Sequence, residues 1–186
     1  MSSQPIVIVL AAGKGQRYLA SGGTTHKLAA SFAGSTVLAH VVSAVEASGL
    51  QAHIVTSAAG DGMADSIAAG VCATAHAAGW LILPGDLPLI QPESLRQVAD
   101  ALARHTVVVP HYRGQQGHPV GFGKACFDAL SRLSGDVGAK SVIQKYRLTD
   151  EVLDLSIDDP GLVTDVDTVD DLSRAEDLFM RTVNQA

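Results

Sequence analysis

The stretch Ile6-Val7-Ile8-Val9-Leu10-Ala11-Ala12-Gly13-Lys14-Gly15-Gln16-Arg17 decides the reading of this chain. Five aliphatic residues in unbroken succession describe a strand buried on both faces, the pattern of a central strand in a helix-covered parallel sheet. Gly13 stops the run. The glycines and cations that follow fall where an α/β sheet opens its ligand crevice, at the carboxyl ends of its strands. Gly13 and Gly15 permit close backbone approach, turn N–H groups can cradle an anion, and Lys14 and Arg17 supply charge. The pattern GxxxxGK[ST] occurs nowhere, and Tyr18 stands where a dinucleotide fingerprint needs its third glycine. A nicotinamide site is further weakened because the second strand ends in Thr56-Ser57, without the expected ribose-binding acid.

Working outward, Val37, Leu38, Val41, Val42 and Val45 recur at helical spacing over 36–48, and Gly49 stands where a left-handed C-cap belongs. A strand is expected over 53–56, an Ala-rich helix over 63–78 and a strand over 80–83. Pro92 suits the first turn of a helix over 93–104, and a strand follows over 106–109. Strand and helix alternate to this point, which calls for right-handed crossovers and a parallel sheet. The second half is less regular. It reads as a polar loop over 110–117, a short strand over 119–122, helices over 124–133 and 139–146, and a strand over 152–157. A last helix from 168 to about 183 has Asp171 in a capping-box position, with Leu172, Ala175, Leu178 and Phe179 as its apolar stripe. The expected fold is one three-layer, Rossmann-like α/β domain whose mostly parallel sheet is covered by helices on both faces.

Composition narrows the function. The 186 residues carry 13 Lys+Arg against 19 Asp+Glu, a net charge of −6, and 47% hydrophobic residues, enough aliphatic content for a real core. An acidic chain makes nucleic acid and anionic membranes poor partners, so a phosphate substrate needs a few placed cations. Cys72 and Cys126 stand apart with no CxxC, and residues 1–12 lack a basic n-region and a long apolar core. A cytoplasmic protein is expected.

Asp86, in Pro84-Gly85-Asp86-Leu87-Pro88, follows a buried strand and should share the sheet edge with the glycine loop, where a Mg²⁺ ligand is useful for phosphoryl chemistry. Asp165 and Asp167 lie two apart, hence on one side of an extended segment entering a helix, and one of them is a candidate second ligand; acids before a helix also favour its dipole regardless of function. Lys27 follows a polar loop of the kind that carries a closing cation over a phosphate. His118 beside Pro119, and the turn containing Asp136 and Lys140, are candidates for a second substrate pocket or for simple chain reversal. Ser66 is a candidate contact to a nucleotide base. The seven histidines form no HxH, HxxxH or HExxH, and GxSxG is absent, so neither zinc nor a serine nucleophile has support.

With these residues in view, the chain resembles the MobA-like nucleotidyltransferase family, and within it the molybdenum cofactor cytidylyltransferase branch. The resemblance runs in order through Leu10-Ala11-Ala12-Gly13-x-Gly15-x-Arg17, Lys27-Leu28, Gly62-Met63-x-x-Ser66-x-x-x-Gly70, Gly85-Asp86-x-Pro88, Gly117-His118-Pro119-Val120, Gly135-Asp136-x-Gly138-Ala139-Lys140 and Asp165-Val166-Asp167-Thr168-x-x-Asp171-Leu172. The chain departs from the family in residues 18–26, which lengthen the phosphate loop, and in 29–34.

The resemblance implies transfer of a nucleoside monophosphate from an NTP to a phosphate-bearing acceptor. It assigns Leu10, Ala11, Ala12, Gly13, Gly15, Arg17, Lys27, Ser66 and Asp86 to the nucleotide, with Arg17, Lys27 and Asp86 catalytic. It assigns Asp86 and an acid of the pair Asp165 and Asp167 to Mg²⁺, and His118, Pro119, Asp136 and Lys140 to the acceptor. Residues 1–110 would then form the nucleotide half and 111–186 the acceptor half. CTP is favoured over GTP because guanylyl members tend to carry a second glycine in the first motif. The implied acceptor is molybdopterin, with contact to a molybdoenzyme or chaperone as a further partner. The alternatives are transfer to another small phosphate acceptor, a GTP-using relative, a nucleotide-cofactor oxidoreductase on the same scaffold, and a non-catalytic nucleotide-binding module.

Overall fold

The computed structural model describes residues 4–58, 60 and 62–183. In chain order it contains β1 (Ile6–Leu10), α1 (Gln16–Ala20), a 3-10 turn (Lys27–Ala29), β2 (Ser31–Phe32), β3 (Ser35–Thr36), α2 (Val37–Ser48), β4 (Gln51–Val55), α3 (Met63–Ala73), β5 (Gly79–Pro84) and α4 (Pro92–Leu102). There follow β6 (Val107–Tyr112), β7 (Gln115–Gln116), β8 (Val120–Gly123), a 3-10 turn (Lys124–Cys126), α5 (Phe127–Ser131), α6 (Lys140–Arg147), β9 (Val152–Ser156), a 3-10 turn (Pro160–Leu162) and α7 (Val169–Val183). No described helix is long and apolar enough to cross a membrane.

β1 lies between β4 and β5, parallel to both, and its aliphatic run is consumed from two sides. Ile6 and Ile8 pack with Ile67 and Val71 of α3 and Val142 and Ile143 of α6, while Val7 and Val9 pack with Val41 and Val45 of α2 and Leu95 and Val98 of α4. Each such side chain contributes about 1.5–3 kcal/mol of apolar burial, so a one-residue slip of register would put the wrong shapes against both layers. Thr36 caps α2 by accepting from the Ala39 N–H at 3.2 Å, and Gly49 closes it with φ of 78°. The expected three-layer architecture is present.

The second half differs in detail from its sequence reading. β8 runs antiparallel between β5 and β6, and β9 then pairs parallel with β6, so the sheet is mixed on that side. The polar stretch 110–117 is a hairpin rather than a loop. Arg113 and Gly114 both take positive φ, 48° and 83°, which sets the tight turn between β6 and β7, and only the glycine advertises this in the sequence. The helix expected over 63–78 stops at Ala73 because the Thr74 hydroxyl bonds back to the Gly70 carbonyl at 2.7 Å and accepts from the Trp80 indole at 3.0 Å. Gly70 itself allows close packing: a Cβ there would lie 2.6 Å from Ile8 Cγ2.

Candidate active site

β1, β4 and β5 end level with one another. The Ala11 N–H donates to the Val55 carbonyl at 2.8 Å and the Gly85 N–H to the Leu10 carbonyl at 2.9 Å, so the glycine loop and Asp86 leave the sheet side by side. Asp86 in turn receives the distant acidic segment, because its carbonyl accepts from the Val166 N–H at 2.9 Å. Val166 is fully buried among Tyr18, Leu28, Phe32 and Ala175, and alternation along the extended segment leaves Asp165 and Asp167 on its other side. α7 is closed as expected: Asp171 Oδ2 accepts from the Thr168 N–H at 2.9 Å, and Thr168 Oγ1 accepts from the Asp171 N–H at 3.2 Å.

The three carboxylates Asp86, Asp165 and Asp167 come within 4.8 Å of one another, each offering one oxygen. Lys27 lies against them, donating to Asp86 Oδ2 at 2.7 Å and to Asp167 Oδ1 at 2.8 Å, and Arg17 donates to Asp167 Oδ2 at 2.9 Å. Burial by itself would lower the Lys27 ammonium, but the two carboxylates outweigh it and hold it above the usual lysine value. Asp167 is held below the ordinary carboxylate range, first by its hydrogen bond from Lys27. Asp165 is raised, first by partial desolvation and then by the charge of Asp86. The two acids, equivalent in the sequence, are therefore distinct: Asp167 is neutralised by cations and Asp165 faces other carboxylates.

Lys27 owes its position to a residue that sequence reasoning passed over. His26 Nδ1 accepts from the Leu28 N–H at 3.3 Å, so Nε2 carries the proton and donates to the Gly13 carbonyl at 2.6 Å. One ring ties the 3-10 turn that bears Lys27 to the glycine loop. The lengthened segment 18–26 is also held, since the Val169 N–H donates to Ser21 Oγ at 3.0 Å and Gly23 sits hard against the Tyr18 ring. Long-range contacts of this kind leave no signature in sequence.

Three cavities surround this edge. A polar one of about 420 Å³ is lined by Gly13, Gly15, Arg17, Lys27, Asp167 and Asp136. Asp136, expected with the acceptor, thus lines the same cavity as the glycine loop. A recess of about 160 Å³ is bounded by Leu10, Ala12, Gly62, Ser66, Gly85 and Asp86. Ser66 is buried there, its hydroxyl donating to the Gly62 carbonyl at 3.3 Å. The third, about 530 Å³, lies between α3 and α6 over β5 and β8, and includes His118 and Lys140. Pro119 is buried behind His118, outside the residues lining that cleft. Burial lowers the His118 ring pKa more than the Asp86 charge raises it, so the ring is neutral near pH 7. Asp65, another residue the sequence did not single out, ties the start of α3 to the turn before α6: its Oδ2 accepts from the N–H groups of Gly62 at 3.1 Å and Gly135 at 3.3 Å.

The model of the MobA-like NTP transferase domain matches residues 46–152, more than half of the chain. The chain belongs to the MobA-like NTP transferase family. The match includes Ser66, Asp86, His118, Asp136 and Lys140, while Gly13, Arg17, Lys27, Asp165 and Asp167 lie outside it and join the site through the fold. The bifunctional protein GlmU of Xanthomonas euvesicatoria is 29% identical over 163 residues, covering 76% of this chain and 34% of that protein, so the chain spans about a third of the length of such curated relatives. Among solved structures, Rv0371c from Mycobacterium tuberculosis H37Rv superposes with a TM-score of 0.76 at 24% identity, over 94% of this chain and 99% of that one. It is also known as a manganese complex, with a TM-score of 0.72. A nucleotidyl transferase from Methanothermobacter thermautotroptrophicus gives 0.78 at 21% identity, over 97% and 100% of the two chains. These likenesses are of fold, and the family places the chain among nucleotidyltransferases.

Proposed function

We propose that this member of the family transfers CMP from CTP to the phosphate of a molybdopterin-type acceptor and releases pyrophosphate, with a divalent cation as cofactor. The observation that carries the reading is the chain of ion pairs through Arg17, Asp167, Lys27 and Asp86, 2.7–2.9 Å each, set against the glycine loop and a polar cavity. In this reading Gly13 and Gly15 offer backbone N–H groups to the triphosphate and Arg17 and Lys27 offer charge. Leu10, Ala11, Ala12 and Ser66 frame the base beside the recess of about 160 Å³. His118 and Lys140 serve the acceptor from the cleft they line, Pro119 supports His118, and Asp136 meets the acceptor at the glycine-loop cavity, where it approaches the triphosphate. In this reading residues 1–110 serve chiefly the nucleotide and 111–186 the acceptor, with Asp165 and Asp167 returning to the nucleotide edge.

The donor set suits a hard cation: three carboxylates converge, and the Lys27 ammonium already stands between two of them as a cationic substitute. Asp86, Asp167 and Asp165 would hold Mg²⁺, which when bound neutralises charge on the phosphates. No covalent nucleophile is required. An acceptor phosphate oxygen held in line forms the new bond to the α-phosphorus, the bond from that phosphorus to the bridging oxygen breaks, and its electron pair leaves on pyrophosphate. Arg17 and Lys27 stabilise the charge that accumulates there. The reading is tested by pyrophosphate release with Mg²⁺ and each of CTP, GTP, ATP and UTP, with and without molybdopterin. Release that needs CTP and molybdopterin together is expected; release with a sugar phosphate in place of molybdopterin would favour the small-acceptor alternative.

A further inference from the structure

His26 ends the lengthened segment 18–26, and its two ring nitrogens serve different parts of the site. Nδ1 accepts from the Leu28 N–H at 3.3 Å and so caps the 3-10 turn Lys27–Ala29, while Nε2 donates to the Gly13 carbonyl at 2.6 Å. The turn does not depend on the ring alone. The Ala29 N–H donates to the His26 carbonyl at 2.9 Å, and the Ala30 N–H to the Lys27 carbonyl at 3.2 Å. Gly13 is held less firmly by its surroundings: a Cβ added there would meet nothing within 4 Å, so packing does not choose between the two faces of the Gly13–Lys14 peptide. The imidazole does choose. It also lies against the next glycine of the loop, since a Cβ on Gly15, whose φ is 62°, would come to 3.4 Å from its Nε2 and Cδ2.

The orientation of that peptide decides what the loop shows to a ligand. Gly13, Lys14 and Gly15 line the polar cavity of about 420 Å³ and His26 does not, so the Gly13 carbonyl is turned toward a residue outside the cavity lining. Among the described residues the one cis peptide is His118–Pro119, so the Gly13–Lys14 bond is trans. Its N–H therefore points opposite to its C=O and leaves on the side away from His26. Reversed, the same peptide would set a carbonyl lone pair against phosphate oxygens, in a chain that already carries a net charge of −6. We propose that His26 is a positioning residue for the triphosphate: its Nε2–H holds the Gly13 carbonyl out of the phosphate cavity, so that the Gly13–Lys14 peptide offers a donor there rather than an oxygen. This rests on the nucleotidyl-transfer reading above and adds to it the group that orients the glycine loop.

Three substitutions separate this role from capping of the turn. His26→Gln places an amide N–H where Nε2 stood but loses the Nδ1 acceptor. His26→Asn keeps an acceptor near Nδ1 but does not reach Gly13, and His26→Phe keeps the ring and loses both bonds. The probe is inorganic tripolyphosphate with Mg²⁺, titrated calorimetrically. The peptide is followed by NMR in protein carrying ¹³C-carbonyl glycine and ¹⁵N-lysine, where the two Gly–Lys pairs, 13–14 and 123–124, give separate coupled signals and the second reports on folding. Tripolyphosphate should bind about tenfold more weakly to His26→Asn and His26→Phe, and within about threefold of wild type to His26→Gln. The Gly13 carbonyl resonance should move in the first two variants and stay in the third. Affinity that follows capping instead, kept in His26→Asn and lost in His26→Gln, overturns the proposal, as does equal affinity in wild type and all three or no binding by wild type. The expected binding pattern without CMP transfer from CTP would retain the role of His26 and remove the functional reading; CMP transfer with an unchanged KM for CTP in His26→Phe would do the reverse.

Discussion

Around Asp86 charged groups of both signs converge, and each of Lys27, Arg17 and Asp167 has its partner within 2.9 Å. In the neighbouring cleft, Leu10, Ile82, Val120 and Phe122 form an apolar floor, and the buried Nδ1 of His118 has no hydrogen-bond partner. The two regions share β1 and β5 yet solve opposite problems. In the proposed reaction the first takes a highly charged ligand into an acidic protein, and its cations are paired internally in the structure. The second offers an apolar floor, the composition of a cleft that selects by shape rather than by charge.

The contrast is broken most severely at Asp86. Asp86→Asn removes a carboxylate from the reacting edge and should lower turnover by about 10²–10³ with little change in melting temperature; unchanged turnover would reject Asp86 as a metal ligand. Lys27→Met comes next. Turnover should fall by about 10², while Mn²⁺ affinity without nucleotide should rise, because the ammonium no longer occupies Asp86 and Asp167; calorimetric titration decides between this and a merely structural lysine.

A packing change sharpens the comparison by leaving both regions chemically intact. Gly70→Ala gains about 1 kcal/mol of helix propensity but forces a Cβ to within 2.6 Å of Ile8 Cγ2, and should destabilise by about 1–3 kcal/mol net in denaturant unfolding. The smallest effect is at Asp165. Its pKa is raised in the fold, so its charged form is disfavoured there: the burden is absent below the unfolded value of about 3.9 and grows as pH rises through the folded value. Asp165→Asn should therefore raise the metal-free melting temperature by about 1–2 °C at pH 7 and leave it unchanged at pH 3. Asp167 has the opposite sign, since its lowered pKa contributes stability above about pH 3.9 that is lost as pH falls through the folded value.

How much was legible follows the same division. Residues 6–17, Asp86 and the pair Asp165 and Asp167 announce themselves because phosphate chemistry needs particular residue types at strand ends, and a strand end is readable from its apolar run. The difference between Asp165 and Asp167 was not legible, because it is made by Lys27 and Arg17 arriving from about 150 positions away. His26 and Asp65 were invisible for the same reason, each acting through backbone groups of a distant loop. In the second half, Val120 and Phe122 read correctly as strand, but alternation carries no information on strand order, so the antiparallel insertion of β8 between β5 and β6 had to come from the fold.

The central claim is that the chain moves a nucleoside monophosphate, and isotope tracing tests it most directly. With Mg²⁺, molybdopterin and CTP labelled with ³²P at either the α or the γ position, the account predicts that α label appears in the acceptor product and γ label in pyrophosphate. Label from the γ position in orthophosphate, in the acceptor or on the protein, with no α label in the acceptor, would contradict it.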